Sequence, residues 1–115
     1  MLDNNLVTNS EILAKKLAAL IEEKKGGDVL VFDLRGLSPI ADFFVIATAL
    51  SDVHVKTIAN HISERESPQH IEGLTAATWV LLDFIDVVVH IFSRDAREFY
   101  GLERLWGDAP RVEYG

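Results

Sequence analysis

Apolar residues recur along this chain with two different periods, and the switches between them mark its elements. From Ser10, the residues Ile12, Leu13, Leu17, Leu20 and Ile21 fall at helical spacing. Ser10 is placed to accept from the free amides of a first turn, and Gly26-Gly27 to end the run. Residues 28–34 and 42–48 are short β-branched and aromatic runs separated by turn-prone Gly36, Ser38 and Pro39, and they read as two buried strands. Ser51 caps a second helix with Val55, Ile58, Ala59 and Ile62 on one stripe, and Ser67-Pro68 closes it. A loop through His70 and Glu72-Gly73 leads to residues 77–83 and 86–92, too close in sequence for anything but an antiparallel hairpin. Ser93 as N-cap, with Asp95 in the first turn, starts a final helix through Trp106. The order α-β-β-α-β-β-α predicts a single α/β domain over residues 1–115, with a mixed sheet and packed helices rather than a bundle or a barrel.

The hairpin sequence also predicts a register. A connection centred on Phe84-Ile85 sets Asp83 opposite Asp86, Leu81 opposite Val88 and Trp79 opposite His90. One face then carries Trp79, Leu81, Val88, His90 and Phe92, and the other Val80, Leu82, Val87, Val89 and Ile91. The all-aliphatic face is expected to meet the helices, which leaves the Trp79/His90 face chemically mixed.

On the last helix, a step of roughly 100° per residue spreads Ala96, Phe99, Tyr100, Leu102, Leu105 and Trp106 over an arc of roughly 220°. That is wider than the stripe a helix needs to lie on one core. One flank is expected either to seal the core edge or to form an aromatic-rich contact surface. Glu103 falls inside the arc and needs a partner or solvent; Arg97 and Arg104 fall opposite it and read as solvated.

Composition narrows the function. The chain has 115 residues, 49% hydrophobic, with net charge −7 and no cysteine. Such a charge disfavours a footprint on nucleic-acid phosphates and suits a basic protein partner. Disulfides and thiolate chemistry are excluded, in keeping with a reducing cytoplasm. Met1-Leu2-Asp3-Asn4-Asn5 has no basic start, and no stretch approaches the roughly twenty apolar residues of a membrane span.

Catalytic readings find little support. Neither G-x-x-x-x-G-K-[ST] nor G-x-G-x-x-G occurs. His54, His61, His70 and His90 lack zinc-ligand spacing, His90 reads as a packed, hydrogen-bonded histidine, and Ser51 and Ser93 sit where caps belong. Asp33, Asp42, Asp83 and Asp86 stand at strand ends, where they could hold magnesium for nucleotidyl transfer or simply bond turn amides; the second reading is preferred because no phosphate-binding loop accompanies them. No cofactor and no metal are expected. A metal-dependent nucleotidyltransferase-like enzyme and a dimeric interaction scaffold remain as alternatives.

Five segments in order carry a resemblance: A-D-F-F-V-I-A-T (41–48), S-D-V-H-V-K-T-I-A (51–59), E-G (72–73), W-V-L-L-D-F-I-D-V-V-V-H-I-F (79–92) and R-E-F-Y-G-L-E-R-L-W-G-D-A (97–109). Over about residues 10–109 the chain resembles the ribosomal silencing factor family, also called Iojap-like proteins. The resemblance implies a nucleotidyltransferase-like fold without the activity, and a factor that binds the large ribosomal subunit through its inter-subunit-face protein, number fourteen in the usual nomenclature. Bound there, it would block joining of the small subunit and repress translation. It also implies a homodimer when free, while the net charge and the lack of a spanning stretch point to little contact with nucleic acid and no membrane partner. Carried over residue by residue, it suggests Trp79, Tyr100, Leu102, Glu103, Asp42 and Asp83 as partner-facing, and Asp33, Ser51, His90, Arg97 and Trp106 as either structural or interfacial. One departure stands out: the family commonly has a glycine in the hairpin, as in D-Y-G-D, where this chain has Phe84-Ile85. A longer or a strained loop is expected there.

Overall fold

The computed structural model describes residues 8–114, so Met1-Leu2-Asp3-Asn4-Asn5 lies outside the described residues. The elements are α1 (Asn9–Glu23), β1 (Gly27–Asp33), β2 (Phe43–Ala49), α2 (Asp52–Arg65), β3 (His70–Glu72), β4 (Trp79–Asp83), β5 (Val87–Ser93), α3 (Arg94–Tyr100) and α4 (Leu102–Leu105). The strands form one mixed sheet in the order β1-β2-β5-β4-β3, in which only the β2–β5 pairing is parallel. The expected α/β class and all seven expected elements are therefore present. Two features were not foreseen: the strand β3, where His70 was assigned to a loop, and the division of the last helix.

Helices α1, α2 and α3 each begin where a hydroxyl can serve their free amides. Ser51 Oγ accepts from His54 N and Ser93 Oγ from Ala96 N, as expected. For α1 the cap is Thr8, whose Oγ1 accepts from Glu11 N; Ser10 lies inside the first turn and donates to Asp42 Oδ2 instead. The sequence pattern missed this because the apolar stripe of α1 starts at Ile12, four residues beyond the true cap.

The aliphatic face of the hairpin does meet the helices. Val80, Leu82, Val87, Val89 and Ile91 are fully buried with Leu17, Ile21, Val55, Ile58 and Ile62 of α1 and α2. The register, however, differs from the expected one by two residues. Trp79 pairs with Phe92, Leu81 with His90 and Asp83 with Val88, so Asp83 and Asp86 are not opposed. The reason lies in the turn: Phe84 N donates to Val87 O, which moves the connection one residue later, and Asp86 O is held by both Asp42 N and Phe43 N of the neighbouring β2 segment. A slip of two keeps every side chain on its face, because the strand period is two. The turn is tight and strained, with Ile85 at φ 74 inside an i→i+2 bond from Asp86 N to Phe84 O.

The last helix breaks at Gly101, which adopts the left-handed conformation at φ 57 and donates its N–H to Arg97 O. The expected continuous arc therefore divides into an α3 part and an α4 part that face differently. The C-terminal segment then returns along the outer edge of β1: Asp33 N donates to Pro110 O and Val112 N to Val31 O, closing a sheet edge that would otherwise be open.

Candidate functional site

The second face of the sheet holds the chemistry. Phe32, Leu34, Phe44, Ile46, Val88 and Phe92 are buried there under Ala96, Ala109, Leu102 and Trp106. This cover lies over β1, β2 and β5; towards β4 the face opens, and Trp79, Leu81 and Asp83 are only half-buried. A shallow groove beside them is lined by Glu72, Gly73, Trp79 and Leu81. Gly73, at φ 91, is dictated by this arrangement, since a Cβ there would stand 2.1 Å from Trp79 O.

Trp79 is the hinge of an aromatic group. Its ring lies 4.6 Å from Tyr100, 5.0 Å from Phe92 and 5.9 Å from His90, and Phe99 meets Tyr100 edge-on at 5.1 Å. Phe99 is 80% exposed, Tyr100 51% and Leu105 74%. Trp79 and Tyr100 were named from the sequence and are brought together. Phe99, Leu105 and Leu81 were not named as partner-facing, although Phe99 and Leu105 lay in the apolar arc that pointed to this surface.

His90 is buried under this patch and sets its geometry. Trp79 Nε1–H donates to His90 Nδ1 at 3.1 Å, which puts the imidazole proton on Nε2, and Nε2 has no hydrogen-bond partner among the described residues. The ring packs edge-on against Phe44 at 4.6 Å. Burial lowers the His90 pKa to about 4, so the imidazole is neutral at physiological pH. Between that value and the ordinary 6.5 the unfolded chain binds a proton that the folded chain refuses. Stability should therefore fall as pH is lowered from about 6.5 towards 4. Denaturant melts across that window, compared with those of His90→Gln, check the point: the variant should lose this part of the slope.

Arg97 was expected in solvent, and the structure corrects this: it is only 9% exposed. Because Gly101 turns the chain back, Glu103 comes within reach, and Arg97 Nε donates to Glu103 Oε1 at 2.7 Å. Nη1 donates to Asp28 O and Thr48 Oγ1, both at 2.7 Å, tying α3 to β1 and β2. The hydrogen bond from Arg97 holds the Glu103 carboxyl below its ordinary range. Arg104 is exposed, as expected. Leu102 and Trp106 pack half-buried on the inner cluster, Trp106 edge-on to Phe44 at 6.0 Å.

The aspartates do not form one site. Asp33 accepts from Arg35 Nε at 3.0 Å and Nη2 at 2.8 Å, and the guanidinium lowers its pKa. Asp42 is engaged by Ser10 of α1. Both thus lie at the α1 end of the sheet, away from the Trp79–Tyr100 group. Asp83 Oδ1 accepts from Ile85 N at 2.7 Å, the turn-bonding role expected of it. Among the described residues no group of three or more His, Asp or Glu side chains is placed to hold a metal ion. No helix among them is long and apolar enough to cross a membrane.

The chain is similar over most of its length to known proteins. Residues 7–115 match the family model described as "Ribosomal silencing factor during starvation". The chain is 42% identical over 110 residues to a Bacillus subtilis protein named ribosomal silencing factor, covering 91% of this chain and 93% of that one. It is 38% identical over 104 residues to the chloroplastic protein Iojap of Zea mays, covering 87% of this chain and 46% of the relative. A crystal structure of a Chromobacterium violaceum protein superposes with a TM-score of 0.77 at 31% identity, over 90% of this chain and 91% of that one.

Proposed function

The chain belongs to the ribosomal silencing factor family, and from that premise we propose that it binds the large ribosomal subunit and prevents the small subunit from joining. The contact is with the basic protein numbered fourteen on the inter-subunit face, and the outcome is lower translation in the cytoplasm. The mechanism is steric exclusion, with no chemical step. One observation carries the reading: exposed Phe99 and Tyr100, together with half-buried Trp79, form an open aromatic face on an acidic chain of net charge −7. A monomer rarely leaves such a face open without a partner. Aromatic anchors of this kind supply most of the affinity in protein interfaces, and a standard interface of roughly 800 Å² per partner is within reach of a chain this size. The acidic surface steers the chain to a basic protein, so association should weaken as salt rises.

Glu103 and Leu102 contribute from the edge of this face, Asp83 supplies an acidic contact at its far end, and Asp42 a more distant one. Ser51, Asp33, Arg97 and Trp106 act by holding the fold in place. When the chain is free, the same apolar face is covered by a second copy, so ribosome binding and self-association compete.

The deciding experiment is co-sedimentation with separated large and small subunits, followed by a subunit-joining assay. The chain should pellet with the large subunit only and reduce the yield of joined particles. Binding to neither subunit by a folded sample would refute the proposal.

A further inference from the structure

We propose that the binding face extends along β4 to the β4–β5 turn, where Ile85 and Ile40 form a second, apolar anchor for a basic segment of the same protein partner. This rests on the function proposed above and adds a contact that the aromatic group does not provide.

Three observations converge. First, the surface is continuous: Trp79, Leu81 and Asp83 stand half-buried on one face of β4, leading from Tyr100 at one end to Ile85 at the other. Four residues of strand span about 13 Å, well within one standard interface. Secondly, the end of this strip is apolar and open. Ile85 is 59% exposed and Ile40 71%, and Leu37 is exposed nearby in the same β1–β2 connection. That connection is fastened to the turn by the two bonds from Asp42 N and Phe43 N to Asp86 O, so the two isoleucines share one end of the sheet. Thirdly, the charge there selects the partner. Neither Asp83 nor Asp86 has a cationic partner among the described residues, whereas Asp33 nearby is neutralised by Arg35. Lysine or arginine beside an apolar side chain complements this rim, and the carboxylates repel nucleic-acid phosphate.

Ile85 also makes the proposal separable from stability. A β-branched residue at φ 74 is held in a conformation that glycine adopts freely, so in the free chain this isoleucine strains the backbone while exposing most of its side chain. Its removal should relax the fold and weaken binding at the same time, a combination that a merely structural residue does not give.

The test titrates purified large ribosomal subunits with the full chain and its variants Ile85→Gly, Ile85→Asn, Asp86→Asn and Tyr100→Ala, with melting temperatures measured in parallel. For Ile85→Gly the Tm should hold or rise by about 4 °C, and Kd should increase about tenfold. Ile85→Asn, whose side chain tolerates positive φ, should lose the same affinity, and Asp86→Asn should flatten the salt dependence of binding. An Ile85 variant with Tm at or above wild type and unchanged Kd overturns the proposal, while the loss in Tyr100→Ala would leave the main reading intact. Should both Ile85 variants melt lower, Ile40→Ser in the exposed loop decides: a tenfold rise in Kd supports the anchor and an unchanged Kd overturns it. A wild-type chain that fails to bind the large subunit overturns the functional reading itself, an outcome visible before any variant is compared.

Discussion

Replacing Arg97 with methionine should lower folding stability by about 2 kcal/mol, the range seen when buried hydrogen-bonding groups are left without a partner. Methionine fills a similar unbranched volume, so the loss is polar in origin. Thr48 Oγ1 and Asp28 O lose their donor inside the fold, and Glu103 loses its cation. Arg97→Lys should recover only part of the loss, because an ammonium is a point charge and cannot hold three acceptors in a planar fork. Arg104→Ala, at an exposed position, should stay within about 0.5 kcal/mol of wild type. Urea unfolding of the four proteins checks this, and an Arg97→Met variant as stable as Arg104→Ala would show that the buried guanidinium contributes nothing net.

The same network gives an acid dependence. The folded pKa of Glu103 is depressed, so its contribution is present above the ordinary carboxylate range, near 4.5, and is lost as pH falls through the lower folded value. In Arg97→Met that part of the acid limb should disappear, whereas the His90 contribution at higher pH should remain.

Tyr100→Ala should weaken large-subunit binding by about 30-fold, or roughly 2 kcal/mol, as expected for an aromatic anchor near the centre of an interface. Its ring is half exposed and meets Trp79 and exposed Phe99 at the rim of the sheet face, so little of the core depends on it. The melting temperature should move by no more than a few degrees. Trp79→Ala should cost as much in binding and more in stability, since the indole stacks on Phe92 and bonds His90. Equilibrium binding to purified large subunits, with melting curves as the control, separates the two effects. Wild-type affinity in a folded Tyr100→Ala would remove Tyr100 from the interface.

Why Arg97 was misjudged and Trp79 was not is instructive. On an unbroken helix Arg97 stands opposite the aromatic arc, and periodicity can only place it in solvent. The left-handed Gly101 reverses the chain, so Glu103 meets Arg97 from outside the helical lattice, and Thr48 and Asp28 arrive from strands distant in sequence. Gly101 in the run F-Y-G-L was a sequence signal for that break, since glycine is the usual residue at a helix C-cap. Trp79, by contrast, needed only strand alternation to be placed on the mixed face, and alternation survives a register slip of two.

The sequence by itself determined what local periodicity and capping chemistry encode: seven elements in order, the aliphatic face that meets the helices, the Ser51 and Ser93 caps, and an aromatic surplus near the C-terminus. Each depends on residues within a turn or a strand of one another, where a period of 3.6 or 2 is legible without knowing the partner. Tertiary structure alone decided the hairpin register, the burial of Arg97, the pairing of β3 and the closing of the β1 edge by residues 110–112. Those features depend on backbone and side-chain hydrogen bonds between different segments, several of them tens of residues apart. Many partners satisfy a lone donor or acceptor equally well, and only the assembled sheet selects among them.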